Sequence, residues 1–176
     1  MNKDSIALIG FMATGKTTVG KKLTKFLGNN YKFIETDQIV IDDAGKSIPD
    51  IFSQDGEIRF REYEINACKK ASKLKKVIIS CGGGIVLNKI NIDYLKRNSY
   101  IVLLKASAEE IYRRAMIDGQ ETRPVIDKQD PKQEIEEVLK FREPFYEAAA
   151  EIVIDTTGKN IDKVVKEIIE KVDISI

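Results

Sequence analysis

The sequence predicts a three-layer α/β fold: a parallel sheet of about five strands with helices on both faces, in one domain covering residues 1–176. Three observations carry that expectation. Short apolar runs such as Ser5–Ile9 and Val77–Ser80 lack the polar alternation of a half-exposed strand, so they suit strands buried on both faces. Amphipathic helical stretches separate the runs, which is the spacing of parallel strands joined by helical crossovers. At 176 residues, 43% hydrophobic and 32% charged, the chain has the composition of a globular protein and the mass to bury one core without staples.

The elements follow in order. Ser5–Ile9 is the first strand and ends at Gly10. From Gly15 to Leu27, Val19, Leu23, Phe26 and Leu27 share one helical side with lysines opposite, and Gly28-Asn29 closes the helix. Tyr31–Glu35 is the second strand. The stretch 37–71 reads as helix in pieces, broken at Gly45, around Pro49 and near Gly56. Val77–Ser80 is the third strand, stopped by Gly82-Gly83-Gly84. A helix from Asn88 to Arg97 leads to the strand Tyr100–Leu104, and Ser107 caps a helix running through Met116. Between Ile117 and Pro131 the pattern gives way to a polar loop too long for a connector, so a lid is expected over about 114–131. A long helix runs from Lys132 towards Ala150, with Pro144 expected to bend or split it. Ile152–Ile154 is the last strand and Ile161–Val172 the last helix.

Composition excludes several kinds of chemistry. The formal net charge is +1, with both signs spread along the chain, so neither a nucleic-acid surface nor a polybasic membrane anchor is expected. The absence of histidine removes His-based triads, His general bases and His-ligated metals. Cys68 and Cys81 are too far apart for a CxxC motif and read as reduced thiols. Residues 1–5 lack the apolar stretch of a signal peptide and no run is long enough to span a bilayer, so a cytosolic protein is expected.

Gly10-Phe11-Met12-Ala13-Thr14-Gly15-Lys16-Thr17 matches G-x-x-x-x-G-K-[ST], with an apolar strand before it and an amphipathic helix after it. Glycines let the backbone turn tightly and aim its N–H groups at phosphate oxygens. The helix N-terminus adds partial positive charge at the same point. Lys16 can reach the β- and γ-phosphates of ATP, and the Thr17 hydroxyl can join a Mg2+ shell. Residues Ala13, Thr14, Gly15, Lys16, Thr17 and Thr18 are the expected ATP contacts here. A phosphate cradle alone does not separate kinases from switches and motors.

Asp37 follows the second strand, at the carboxyl edge where such sheets bind ligands. It can accept or orient a hydroxyl proton, or it can simply N-cap the helix after it. Glu35, two residues earlier, can approach a metal, directly or through water. Arg61 and Glu64 stand at i,i+3, where the carboxylate can fix the guanidinium; Glu57 at i−4 makes a surface ion-pair lattice the alternative. Gly82-Gly83-Gly84 weakens any regular element by about 1 kcal/mol per glycine relative to alanine, and close approach of a ligand is the economical reason to keep all three. Cys81 beside it reads as a small buried hydrophobe.

Further marks complete a series. G-x-M-x-x-G-K-[ST]-T-x-G runs from Gly10 to Gly20, and Thr36-Asp37 follows strand two. Gly45, Ser47-Ile48 and Ile51-Phe52 come next, then G-E-x-x-F-R-x-x-E from Gly56 to Glu64. The glycine triplet follows, then Thr122-Arg123-Pro124, then R-x-P-x-Y at Arg142, Pro144 and Tyr146. Through nearly its full length the chain thereby resembles the shikimate kinase family. The resemblance implies a P-loop NTPase-type fold with lid and substrate-binding subregions, the latter over about 35–64. It also implies phosphoryl transfer from Mg2+-ATP to shikimate by a monomer. Asp37 would then be the base that binds ring hydroxyls, Arg61 and Arg142 would hold the carboxylate, and the triplet Gly82, Gly83 and Gly84 would line the acid pocket. Arg123 would close over ATP, Arg114 would contact the nucleotide, and Thr157, in the turn Asp155–Lys159, would flank the adenine.

Three residues depart from the family's usual choices. Ala13 stands for a glycine and Thr14 for a smaller residue, which imply altered nucleotide affinity at most; Glu35 stands for an aspartate, and its extra methylene counts against direct metal contact. A gluconate or nucleoside monophosphate kinase, and a nucleotide-binding module without catalysis, are the competing readings. Asp37 together with two substrate arginines favours a hydroxylated carboxylic acid over both.

Overall fold

Every residue of β1 (Ser5–Ile9) is buried, because strand geometry sends its side chains alternately into two cores. Ile6 and Leu8 join one core with Val19 and Leu23 of α1 (Lys16–Leu27) and Val164 and Ile168 of α8 (Ile161–Lys171). Ala7 and Ile9 face the opposite core. There they meet Cys68 of α4 (Gly56–Ala71), Leu95 of α5 (Lys89–Leu95), Ile111 of α6 (Ala108–Ile117), and Ile135 and Tyr146 of α7 (Pro131–Ala149). That two-sided burial explains why the strand's sequence has no polar alternation. The structure is a computed structural model and describes residues 3–117 and 130–174.

The other strands are β2 (Lys32–Glu35), β3 (Val77–Ser80), β4 (Ser99–Lys105) and β5 (Ile152–Asp155). All pairings are parallel, in the order β2-β3-β1-β4-β5. The expected five-stranded parallel sheet with helices on both faces is therefore present, with strand ends within a residue of those read from the sequence. Within the order, β1 and β3 are neighbours, with Leu8 paired to Ser80, so the loops leaving their carboxyl ends open side by side. This is where a doubly wound sheet places its ligands.

The helical stretch after β2 resolves into α2 (Thr36–Ala44), α3 (Ile48–Gln54) and α4. Val40, Ile51, Phe60 and Ala67 pack them into a small core of their own. Gly45, at φ +68°, ends α2, and Ser47 caps α3 by accepting from the Asp50 N–H. α2 begins at Thr36, so Asp37 lies in its first turn and not at the cap, which disposes of the capping alternative. Pro144 neither splits α7 nor shortens it: the helix continues through it to Ala149. Buried Ile135, Tyr146 and Ala149 lie on both sides of the proline and hold the helix by packing. A 3-10 turn at Ile85–Leu87, not foreseen in the sequence, follows the glycine triplet.

Candidate active site

The cradle is a backbone structure. Gly10, Ala13 and Gly15 have φ of +143°, +56° and +96°, and Gly15 sits at the α1 N-cap, where no side chain caps the helix. The first amides of α1 are left for a ligand, with the helix dipole behind them. The Lys16 ammonium donates to the Gly10 carbonyl at 2.8 Å and the Phe11 carbonyl at 2.7 Å, folded back along the loop it serves. Thr14 is buried and its hydroxyl donates to the Phe11 carbonyl at 2.9 Å. Its side chain therefore braces the loop, and only its backbone is left to face phosphate. Thr18 is exposed at the rim.

Beside the cradle, the Thr17 hydroxyl donates to Glu35 Oε1 at 2.7 Å and lies 3.4 Å from the Ser80 hydroxyl. These are hard oxygen donors, the kind that suits Mg2+. Among the described residues no group of three or more His, Cys, Asp or Glu gathers elsewhere as an alternative metal site. Ser80 went unnoticed in the sequence, although a polar residue closing an apolar strand at the ligand edge was a usable signal.

The same basin, about 1350 Å³ in volume, continues from Lys16 to Asp37, Arg61, Arg142 and the glycine triplet. Each glycine faces a different charged side chain. A methyl group on Gly82 would sit 2.5 Å from Asp37 Oδ1, one on Gly83 3.7 Å from Arg142 Nη1, and one on Gly84 2.9 Å from Arg61 Nη1. A side chain at the first or last of these would displace the Asp37 carboxylate or the Arg61 fork, so bare backbone lets both come this close. Thr36 holds the triplet down from α2, its buried hydroxyl accepting the Gly82 N–H at 2.9 Å.

Electrostatics follow from the burial. Burial raises the Asp37 carboxyl above the ordinary aspartate range, against the pull of Lys16 and with some help from Glu35. Arg61 donates to Glu64 at 3.0 and 3.2 Å and to Glu57 at 3.0 and 3.3 Å. The Glu64 side chain is only 4% exposed, against 65% for Glu57, so the pair is not a surface lattice. Burial raises the Glu64 carboxyl as well, with Arg61 opposing. Buried Asn91 of α5 donates to Glu64 at 3.2 Å and to the Ile85 carbonyl at 3.1 Å. Nothing near Asn91 in sequence marked it for this.

At the far end of the cradle, Arg114 donates to the Ala13 carbonyl at 3.3 Å, the Thr156 hydroxyl at 3.0 Å and the Thr156 carbonyl at 2.8 Å. Glu110 steadies Arg114 at 2.7 Å, and contacts with Arg113 first and Arg114 second hold its carboxyl down at about 2. The Thr157 hydroxyl accepts the Ser107 N–H at 3.1 Å, while its neighbours Gly158, Lys159 and Asn160 line the basin. Glu110 had been given no role from sequence, and Thr156 was expected only as part of the turn beside the adenine. Of the expected lid, residues 118–129, with Thr122, Arg123 and Pro124, lie outside the described residues, while residues 114–117 end α6 and Pro131 opens α7.

Comparison with known proteins is consistent along the chain. A family model described as shikimate kinase matches residues 12–173. A shikimate kinase of Caldanaerobacter subterraneus subsp. tengcongensis is 46% identical over 165 residues, 94% of each chain. One of Thermoanaerobacter pseudethanolicus is 41% identical over 166 residues, again 94% of each. Among solved structures, shikimate kinase from Acinetobacter baumannii in complex with shikimate superposes with a TM-score of 0.86 at 30% identity, covering 96% of this chain and 92% of that one. The enzyme of Aquifex aeolicus gives 0.79 at 34% identity, covering 94% of both.

Proposed function

This chain belongs to the shikimate kinase family, and on that premise we propose how its basin moves the γ-phosphoryl group of ATP to the 3-hydroxyl of shikimate, releasing ADP and shikimate 3-phosphate for aromatic amino acid biosynthesis. One observation carries the assignment of roles: three consecutive glycines bring Asp37, Arg142 and Arg61 to one wall of the basin that also contains Lys16. A carboxylate beside two guanidinium groups is the complement of an acid bearing hydroxyls.

The triphosphate lies on the amides of Gly15–Thr18, and Lys16 leaves the Gly10 and Phe11 carbonyls for the β- and γ-phosphates. Thr17 and Glu35 would hold Mg2+, directly or through water, and the bound ion would supply positive charge against the negative charge that develops during transfer. Arg114 supports the nucleotide from α6, with Thr157 in the turn beside the adenine, and Arg123 supplies positive charge from the lid. Arg61 and Arg142 grip the carboxylate of shikimate, and the glycine backbone lets the ring come close. Asp37 accepts the proton of the 3-hydroxyl as its oxygen bonds to the γ-phosphorus and the bond to the leaving ADP oxygen breaks. Its raised pKa makes it a better proton acceptor than a solvated aspartate. Closure of the lid would keep water from taking the phosphoryl group.

No helix among the described residues is long and apolar enough to cross a membrane, and the working form in this reading is a cytosolic monomer. A coupled ADP-release assay with Mg-ATP tests the whole. Shikimate should drive turnover where quinate, gluconate and nucleoside monophosphates do not; equal or better turnover with any of these would replace the acceptor.

A further inference from the structure

R-x-P-x-Y ends in Tyr146, a residue with no part in the reaction as described so far. It is 2% exposed, on the face of α7 that packs against the sheet. Its hydroxyl donates to the Gly83 carbonyl at 2.5 Å. The same carbonyl is within 3.4 Å of Arg142 Nη1, a long and weak contact by comparison. One acceptor thus stands before two donors on adjacent turns of a single helix, and the phenol holds the short bond. Arg142 Nε is buried without a hydrogen-bond partner among the described residues, so this guanidinium has donor capacity in hand.

The neighbouring carbonyls have their own donors. The Gly82 carbonyl takes the Ile85 N–H at 3.2 Å, and that of Gly84 takes the Leu87 N–H at 3.0 Å. Gly83 has no such turn to close and depends on α7. Because a peptide unit is planar, fixing the Gly83 carbonyl towards α7 also fixes the Gly84 N–H to the opposite side. Gly83 further lies against the cradle: a methyl on it would meet the Gly10 carbonyl and the Met12 N–H, each at 3.9 Å. Its peptide is therefore where the phosphate site and the acid site touch.

We propose that Tyr146 is a positioning residue: by saturating the Gly83 carbonyl it keeps the Arg142 fork free for the acid and holds the triplet in register between the two substrates. Without the hydroxyl, Arg142 is the nearest donor and would turn one of its N–H groups to the orphaned carbonyl, because a buried acceptor left unpaired is costly. Burial pushes the phenol up to about 12, against the opposing charge and contact of Arg142 beside it, so it remains a proton donor throughout the working pH range.

This inference rests on the acceptor being shikimate, and Y146F tests it. The substitution should raise the KM for shikimate by about 5- to 20-fold, the loss of one charge-assisted contact, with kcat within about threefold and the KM for ATP unmoved. Placing 4-aminophenylalanine at position 146, which returns an N–H donor to the ring, should bring the KM back towards that of the unaltered enzyme. A lowered Tm with an unchanged shikimate KM would make Tyr146 a packing residue and overturn the proposal. Equal losses in kcat and in both KM values would overturn it too. If Y146F fails to fold, 3,5-difluorotyrosine at 146 serves instead. Its more acidic phenol gives up the donor as pH rises, so the shikimate KM should climb with pH, and a flat profile overturns the proposal. Absence of shikimate-dependent ADP release by the unaltered chain would sink the acceptor assignment and this inference together; normal release with an unmoved Y146F KM sinks this inference alone.

Discussion

The two ends of the basin are built by opposite means. The phosphate end is contiguous backbone, residues 10–18, set by the exit from β1 and the start of α1. The acid end is an assembly of side chains from α2, α4 and α7, brought together over a glycine triplet after β3. Backbone amides do the same work whatever side chains they carry, so the phosphate end accommodates Ala13 and Thr14. At the acid end the contacts belong to individual side chains on separate helices. Substitutions of those side chains should therefore cost more than substitutions of cradle residues, such as Ala13, that act through their backbone.

The largest effect is expected from Asp37→Asn, which keeps the shape and removes the base. Turnover should fall by about 10²-fold or more while ATP binding is kept; steady-state ADP release and nucleotide titration measure the two, and retained turnover would remove Asp37 from the chemistry. Arg142→Ala comes next. Loss of a guanidinium contact to a carboxylate should raise the shikimate KM by roughly 10- to 50-fold with a smaller change in kcat. An unchanged KM would assign Arg142 to the surface of α7.

Glu64→Gln should raise the same KM less, by about 5- to 10-fold, since Arg61 keeps Glu57 and loses only its buried charged partner. Thermal melts should show a drop as well, because the substitution leaves a partly buried cation less well compensated.

Stability against pH sharpens the comparison further. Burial gives Asp37 a folded-state pKa above its unfolded value, so its contribution is fully present below the ordinary aspartate range and is lost as pH rises through the raised value. Asp37→Asn should therefore melt higher than the unaltered chain at neutral pH, with the gain vanishing in acid. A melting point that stays equal at neutral pH would mean that the site stores no such strain.

The smallest effect belongs to the other end. Ala13 has φ +56°, where a glycine is at ease and an alanine strained by about 1 kcal/mol. Ala13→Gly should shift stability by no more than about that amount and the KM for ATP by less than about threefold. A tenfold loss of ATP affinity would show that the alanine side chain, and not the backbone, shapes the loop.

The same contrast explains what could be read from the sequence. The cradle and the five strands are local: apolar runs, a Gly-rich turn and helical periodicity each sit within a dozen residues. Asp37 and the triplet were visible as chemistry in the right places. The meeting of Arg61 with Arg142 was not, because the described chain between them passes through two strands and two α-helices, and only the resemblance to a family joined them. Asn91 gave no signal at all, since its partner Glu64 is on another helix. The expected split at Pro144 does not occur, because proline's local cost was weighed without the packing that holds α7 on both sides of it.

Both sulfhydryls of the chain, Cys68 on α4 and Cys81 at the foot of the triplet, are free, buried and made less acidic by that burial. A native molecule thus hides its entire thiol content from alkylating reagents. Labelling would proceed only when α4 or the glycine segment swings clear, so its rate counts those openings one by one. Bound acid should slow that clock, and the protein carries the clock without any engineered probe.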